Sequence, residues 1–142
     1  MMLSGYFDSA GRALVRLRVR GKGNWMHGTF EIDTGAQPEF VTSLLMAEHL
    51  QAETETRHAA VLANGTRVPA HGVVLELDWF DEIKLVQGIG FRSQDSAAFL
   101  EPSQRGPGVH GLIGRALLVE CRLTIDFGLK TVMIERSKEM PA

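Results

Sequence analysis

A single cysteine, Cys121, stands in the whole chain, so no disulfide can form within it and no CxxC redox or metal motif can exist. Its neighbours Leu118, Val119 and Leu123 are apolar, which marks it as a small core residue rather than a nucleophile. Basic charge is not in excess either. Fifteen Lys and Arg stand against 17 Asp and Glu, a formal charge of -2, whereas a protein that binds by neutralising phosphates is normally clearly basic. No nucleic-acid partner is expected. No stretch approaches the roughly 20 apolar residues that cross a bilayer, so no membrane span is expected. Met1-Met2-Leu3-Ser4-Gly5-Tyr6 lacks the charged start and apolar core of a signal peptide. A soluble, cytoplasmic protein is the expectation.

Several chemical signatures are missing as well. His27, His49, His58, His71 and His110 show no zinc spacing, and no G-x-S-x-G elbow appears. Gly106-Pro107-Gly108-Val109-His110-Gly111 matches G-x-G-x-x-G on paper. It follows a loop and precedes no long helix, so it is no dinucleotide fingerprint. Neither metal nor cofactor is expected.

What is present is ordinary globular material. The chain is 44% hydrophobic and 23% charged, which excludes a disordered or fibrous protein, and its 142 residues suit one domain, 1–142. Residues 13–19 alternate apolar and polar, the period of a half-buried strand. Arg16, Arg18, Arg20 and Lys22 then form its wet face. A turn at 21–24 leads to a second strand, 25–32. Thr42 or Ser43 can cap a short helix through Leu44, Leu45, Met46 and Leu50. A polar stretch around 51–56 precedes an apolar run that meets Asn64-Gly65, a strong hairpin signal because both residues tolerate positive φ. Pro69, on the returning strand, marks an edge or bulge. A strand at 83–91, a long loop at 92–108, a short apolar run at 109–113 and a brief helix at 114–119 follow. Residues 123–125 and 130–134 form a closing hairpin around Asp126-Phe127-Gly128. About eight strands and one or two short helices predict an all-β, closed or sandwich-like domain.

The sharpest feature is Phe30-Glu31-Ile32-Asp33-Thr34-Gly35-Ala36. An apolar strand runs into Asp-Thr-Gly and sets a carboxylate where the chain turns. Asp33 can do acid–base work on water, Thr34 carries a hydroxyl able to lock a loop, and Gly35 lets the backbone approach closely. The tripeptide alone would equally make an ordinary turn. Downstream stands Gly111-Leu112-Ile113-Gly114-Arg115-Ala116-Leu117-Leu118, and between the two lies the hairpin signal Ala63-Asn64-Gly65-Thr66.

In that order and spacing, over residues 13–135, the chain resembles the retropepsin-like aspartic proteases. The resemblance implies a closed acid-protease-type β-barrel lobe with one or two short helices, working as a symmetric homodimer on a peptide or protein substrate. It implies Asp33 as the catalytic residue, with Thr34 reaching across the two-fold axis and Gly35 and Ala36 shaping the loop. Leu112, Ile113, Gly114 and Arg115 would support that loop, and Ala63, Asn64, Gly65 and Thr66 would form a flap over the substrate. Peptide hydrolysis of this type needs two carboxylates holding one water and sharing one proton. Two-lobed, pepsin-like relatives carry two such motifs. Here Asp126-Phe127-Gly128 is the only other Asp-x-Gly, and Phe127 cannot supply the locking hydroxyl, so the second aspartate is expected from a second chain. Gln37 and Ala116 stand where the family usually has Asp, Ser or Asn. Ala36, lacking a hydroxyl, implies an activity optimum nearer neutral than strongly acid. The alternative is a non-catalytic dimeric module of the same fold that binds an extended peptide.

Overall fold

The computed structural model describes residues 1–61, 65, 67–92 and 109–136. Among the described residues ten strands and two short helices follow in order: β1 Met2–Phe7, β2 Ala13–Arg20, β3 Met26–Ile32, β4 Phe40–Ser43, α1 Leu44–His49, β5 Glu53–Val61, β6 Arg67–Trp79, β7 Glu82–Phe91, β8 Gly111–Ile113, α2 Arg115–Leu118, β9 Cys121–Asp126 and β10 Thr131–Arg136. They hydrogen-bond in the order β5-β6-β7-β4-β8-β3-β2-β1-β10-β9, with a further pairing of β6 to β2. That extra pairing, Val19 opposite Leu77 and Arg20 opposite Glu76, closes β6-β7-β4-β8-β3-β2 into a six-stranded barrel. The mostly β, closed architecture matches the expectation from sequence.

Alternation on β2 explains the barrel's inside and outside. Val15, Leu17 and Val19 are buried, while Arg16 and Arg18 are exposed. Phe30, Phe40, Leu75, Leu77, Val86 and Ile113 complete the filling. At roughly 1.5–3 kcal/mol for each large apolar side chain withdrawn from water, this set dominates the stability. The void left among them is about 10 Å³, room for about one water and no ligand. Outside, Arg20 pairs with Glu76 across the closing seam, and Arg18 and Arg20 lie over the Trp25 ring at 5.0 and 4.5 Å. The arginine run is a solvated face. Ile134, Leu117, Leu118 and, half-buried, Cys121 extend the core beneath β9 and β10. Burial pushes the Cys121 thiol up, which leaves it a weak nucleophile.

Differences from the sequence-based expectations have local causes. β1 was not foreseen because Ser4-Gly5 breaks its apolar pattern. Gly5 is nonetheless required, since a Cβ there would stand 2.2 Å from the Leu14 carbonyl oxygen. β4 is only four residues long and wholly dependent on its neighbours. β5 begins at Glu53, inside the stretch expected to be a polar connection, because an edge strand tolerates exposed Glu and Thr. Ser43, not Thr42, caps α1 by accepting a hydrogen bond from the Met46 amide at 3.1 Å. Lys130, expected to begin the last strand, sits in the β9–β10 turn with φ +55°. Pro69 pairs with Ala59, where the β5–β6 register shifts, in keeping with the bulge expected of it. Among the described residues, no helix is long and apolar enough to cross a membrane.

The β1–β2 turn is tied by Asp8. Its carboxylate accepts from the amides of Ala10 at 3.0 Å and Arg12 at 2.9 Å and from Arg12 Nε at 2.8 Å. Partial desolvation pushes its pKa up, but the bonds from Arg12 outweigh that and hold it below the ordinary value. A carboxyl with a depressed folded-state pKa contributes stability above its unfolded value, and loses it as pH falls through the folded one. Asp8→Asn should therefore be less stable than wild type at neutral pH, and urea titrations should show that gap shrinking below about pH 4.

Candidate active site

β3 ends at Ile32, and the chain then loops through residues 33–39 before re-entering the sheet as β4. β8 lies between those two strands. It runs parallel to β3, with Ile113 opposite Ile32, and antiparallel to β4, with Ile113 opposite Phe40. All of Gly111, Leu112 and Ile113 are buried, as befits a strand flanked on both sides. Leu112 joins Val41, Ala70 and Phe91 in a small cluster, while Ile113 faces the main core.

The loop is consequently wound round the point where β8 leaves the sheet. The Asp33 amide donates to the Ile113 carbonyl at 2.9 Å, and Gly114 donates to the Glu39 carbonyl at 3.1 Å. The first turn of α2 adds Arg115 to the Ala36 carbonyl at 2.8 Å and Ala116 to the Gln37 carbonyl at 3.2 Å. Four backbone bonds thus fix a seven-residue loop, and Glu39 Oε1 adds one side-chain tie by accepting from the Gln87 amide at 3.0 Å. This tight wrapping requires glycine. A Cβ on Gly114 would lie 2.0 Å from the Pro38 oxygen and 2.7 Å from that of Ala36.

Within the loop, Asp33 Oδ1 accepts from the Gly35 amide at 2.9 Å, and the Ala36 amide donates to the Asp33 carbonyl at 3.1 Å. The carboxylate is thereby oriented by its own turn. Asp33 is part-exposed, and Thr34 and Gly35 are exposed, so the group faces outward from one rim of the barrel. Arg115 and Ala116 are exposed too; their backbone, not the Arg115 side chain, holds the loop. Of the residues singled out from sequence, the structure brings together Asp33, Thr34, Gly35, Ala36, Ile113, Gly114 and Arg115, with Leu112 buried alongside. Of the hairpin candidates only Gly65 is described. Gly65 is exposed with φ +83°, as its turn demands, while Ala63, Asn64 and Thr66 lie outside the described residues.

Sequence reasoning missed the support beneath the loop. The His110 amide donates to the Thr29 carbonyl at 2.7 Å, and the Thr29 amide donates back to His110 Nδ1 at 2.9 Å. His110 thus clips the start of β8 to β3 through its backbone and its ring Nδ1. Buried Thr42 donates its hydroxyl to the His110 carbonyl at 3.0 Å, tying β4 to the same point. Nothing in the local pattern around Thr42 or His110 signals this, because the partners are remote in sequence. Among the described residues no cluster of three or more His, Cys, Asp or Glu could hold a metal ion. A cleft of about 350 Å³ lies by the β6–β7 hairpin, between Trp79, Lys84, Val119, Cys121 and Arg136, and shares no residue with the Asp33 loop.

A comparison with models of known protein families finds no match, and neither does one with curated proteins.

Two substitutions probe the loop's fixings. Gly114→Ala should cost about 3 kcal/mol or prevent folding, since only backbone atoms meet the added methyl. Thr42→Val keeps the shape but leaves the His110 carbonyl without its hydroxyl partner, and should cost about 1–3 kcal/mol in denaturant titration.

Proposed function

We propose that this chain is one half of an aspartic endopeptidase, whose dyad consists of Asp33 and its copy across a two-fold axis. The observation that carries this reading is a carboxylate held rigidly at a surface-facing Asp-Thr-Gly turn by a glycine-threaded backbone belt. A single carboxylate cannot both take a proton from water and give one to the scissile carbonyl. Two of them in contact cannot both stay ionised, so the pair holds one proton and performs both tasks. The ionised carboxylate takes a proton from water as its oxygen bonds to the peptide carbon. The protonated partner donates to the carbonyl oxygen. The resulting diol collapses as the carboxyl that took the water's proton passes it to the amide nitrogen, the C–N bond breaks and the other carboxylate takes a proton from a diol hydroxyl, leaving a carboxylic acid and an amine. The pair returns to one shared proton, and no redox partner is needed.

The filled barrel supports this over storage of a small ligand inside it, because the void there is only about 10 Å³. The β5–β6 hairpin supplies an edge on which an extended peptide could lie by sheet-like bonds, with Gly65 at its turn. In this reading the lobe is of the acid-protease type and Thr34 contributes to the contact between copies.

Asp33→Asn preserves the loop's shape and removes the acid–base function. Cleavage of a degenerate peptide library, read by mass spectrometry, should fall by about 10³-fold or more, while circular dichroism and sedimentation stay unchanged. Undiminished cleavage would eliminate Asp33 as catalyst. Binding of peptides by a dimer that never cleaves them would point to the non-catalytic peptide-binding module instead.

A further inference from the structure

Strand registers bring a second feature to the rim that carries Asp33. Glu31, two residues before it, lies opposite Leu14, and Leu14 lies opposite Tyr6. Tyr6 is also opposite Thr131, and Thr131 is opposite Asp126. The ends of β3, β2, β1, β10 and β9 therefore line up along one edge, and the 127–130 turn closes that edge. With neighbouring strands about 4.8 Å apart, the turn lies roughly 15–20 Å from Asp33.

That turn is unusually apolar for its position. Phe127 is 74% exposed and Leu129 75%, and Tyr6, on the outer face of β1 nearby, is 41% exposed. Phe127 is not loosely placed: its ring rests against Phe7 with centroids 5.5 Å apart. The Leu129 amide is held by Asp126 Oδ1 at 2.9 Å. Single exposed apolar residues are normal, but two large ones fixed at one turn beside an exposed Tyr mark a contact surface.

A shared dyad requires the two-fold axis to pass beside Asp33, so the interface is centred there. A standard interface covers about 800 Å² per partner, a disc of roughly 16 Å radius, which reaches the near side of the turn, so the turn would sit at its edge. Rim charges also suit self-association. Around the apolar turn Asp8 is paired with Arg12 and Asp126 shares its turn with Lys130, so charge is balanced where a second copy would rest, while Glu31 and Asp33 lie further along the rim. Resting on the proposed shared dyad, we infer that Phe127 and Leu129 are the apolar anchors of the homodimer interface, covered by the second copy when the two Asp33 loops meet.

The full-length chain carrying Phe127→Ser and Leu129→Ser together tests this by sedimentation equilibrium. The dimer dissociation constant should rise at least about ten-fold, with far-UV circular dichroism unchanged. Specific cleavage activity should collapse at low protein concentration and recover at high. Leu45→Ser, equally exposed but on α1 at the far end of β4 from this rim, should leave the dimer as it was. If the double variant misfolds, Leu129→Lys alone should weaken the dimer by placing a charge at the contact. A wild-type dimer unaffected by substitutions at 127 and 129 overturns this interface and leaves the dyad standing. A strictly monomeric wild type overturns both. A dimer that weakens as expected but never cleaves peptide supports the interface and removes the protease reading.

Discussion

The arrangement around Asp33 depends on one packing constraint: the loop of residues 33–39 must close around the backbone at Gly114. Bonds from Asp33, Gly114, Arg115 and Ala116 converge there, and the space left admits no side chain. Because the fixings are backbone to backbone, the carboxylate's position is set by the sheet and not by the rotamer of any neighbour. The proposed acid–base role would gain from such fixing, since a displaced carboxylate loses reach to its water. His110 and Thr42 carry the constraint one layer deeper by pinning β3, β8 and β4 at a single point.

The same topology explains why the carboxylate faces outward. β8 occupies the gap between β3 and β4, so the loop crossing that gap is forced over the barrel's end. Apolar side chains fill the interior behind it almost completely. A barrel that holds nothing inside and displays a rigid carboxylate on its rim is suited to chemistry at a surface between two bodies. The apolar β9–β10 turn lies on the same rim, and it is this placement that supports the proposed pairing of two copies.

Much of this was legible in the residues, and the illegible part shares one cause. Period-2 alternation from Ala13 to Ile32 disclosed β2 and β3, and the short apolar run ending at Ile113 disclosed β8, because each pattern is local. β1 and β4 were not visible: Gly5 dilutes one pattern, and the other is four residues supported wholly by strands distant in sequence. The motif at Asp33 is readable as a string. That Ile113 accepts from its amide, or that Pro38 leaves no room at Gly114, is a consequence of parallel pairing across remote segments. The roles of His110 and Thr42 were hidden for the same reason. The apolar turn at Phe127 and Leu129 was visible as residues, but its place on the rim that carries Asp33 emerges only from four consecutive strand registers.

The central claim is that catalysis needs two copies of Asp33, and subunit mixing tests it most directly. Wild-type chains co-refolded with increasing proportions of Asp33→Asn chains, at fixed total concentration, would be assayed for cleavage of one peptide. A dyad shared by two chains predicts a rate that follows the square of the wild-type fraction, about a quarter of the full rate in an equal mixture. A rate falling in simple proportion to the wild-type fraction would mean that each chain cleaves alone, and would contradict the shared site.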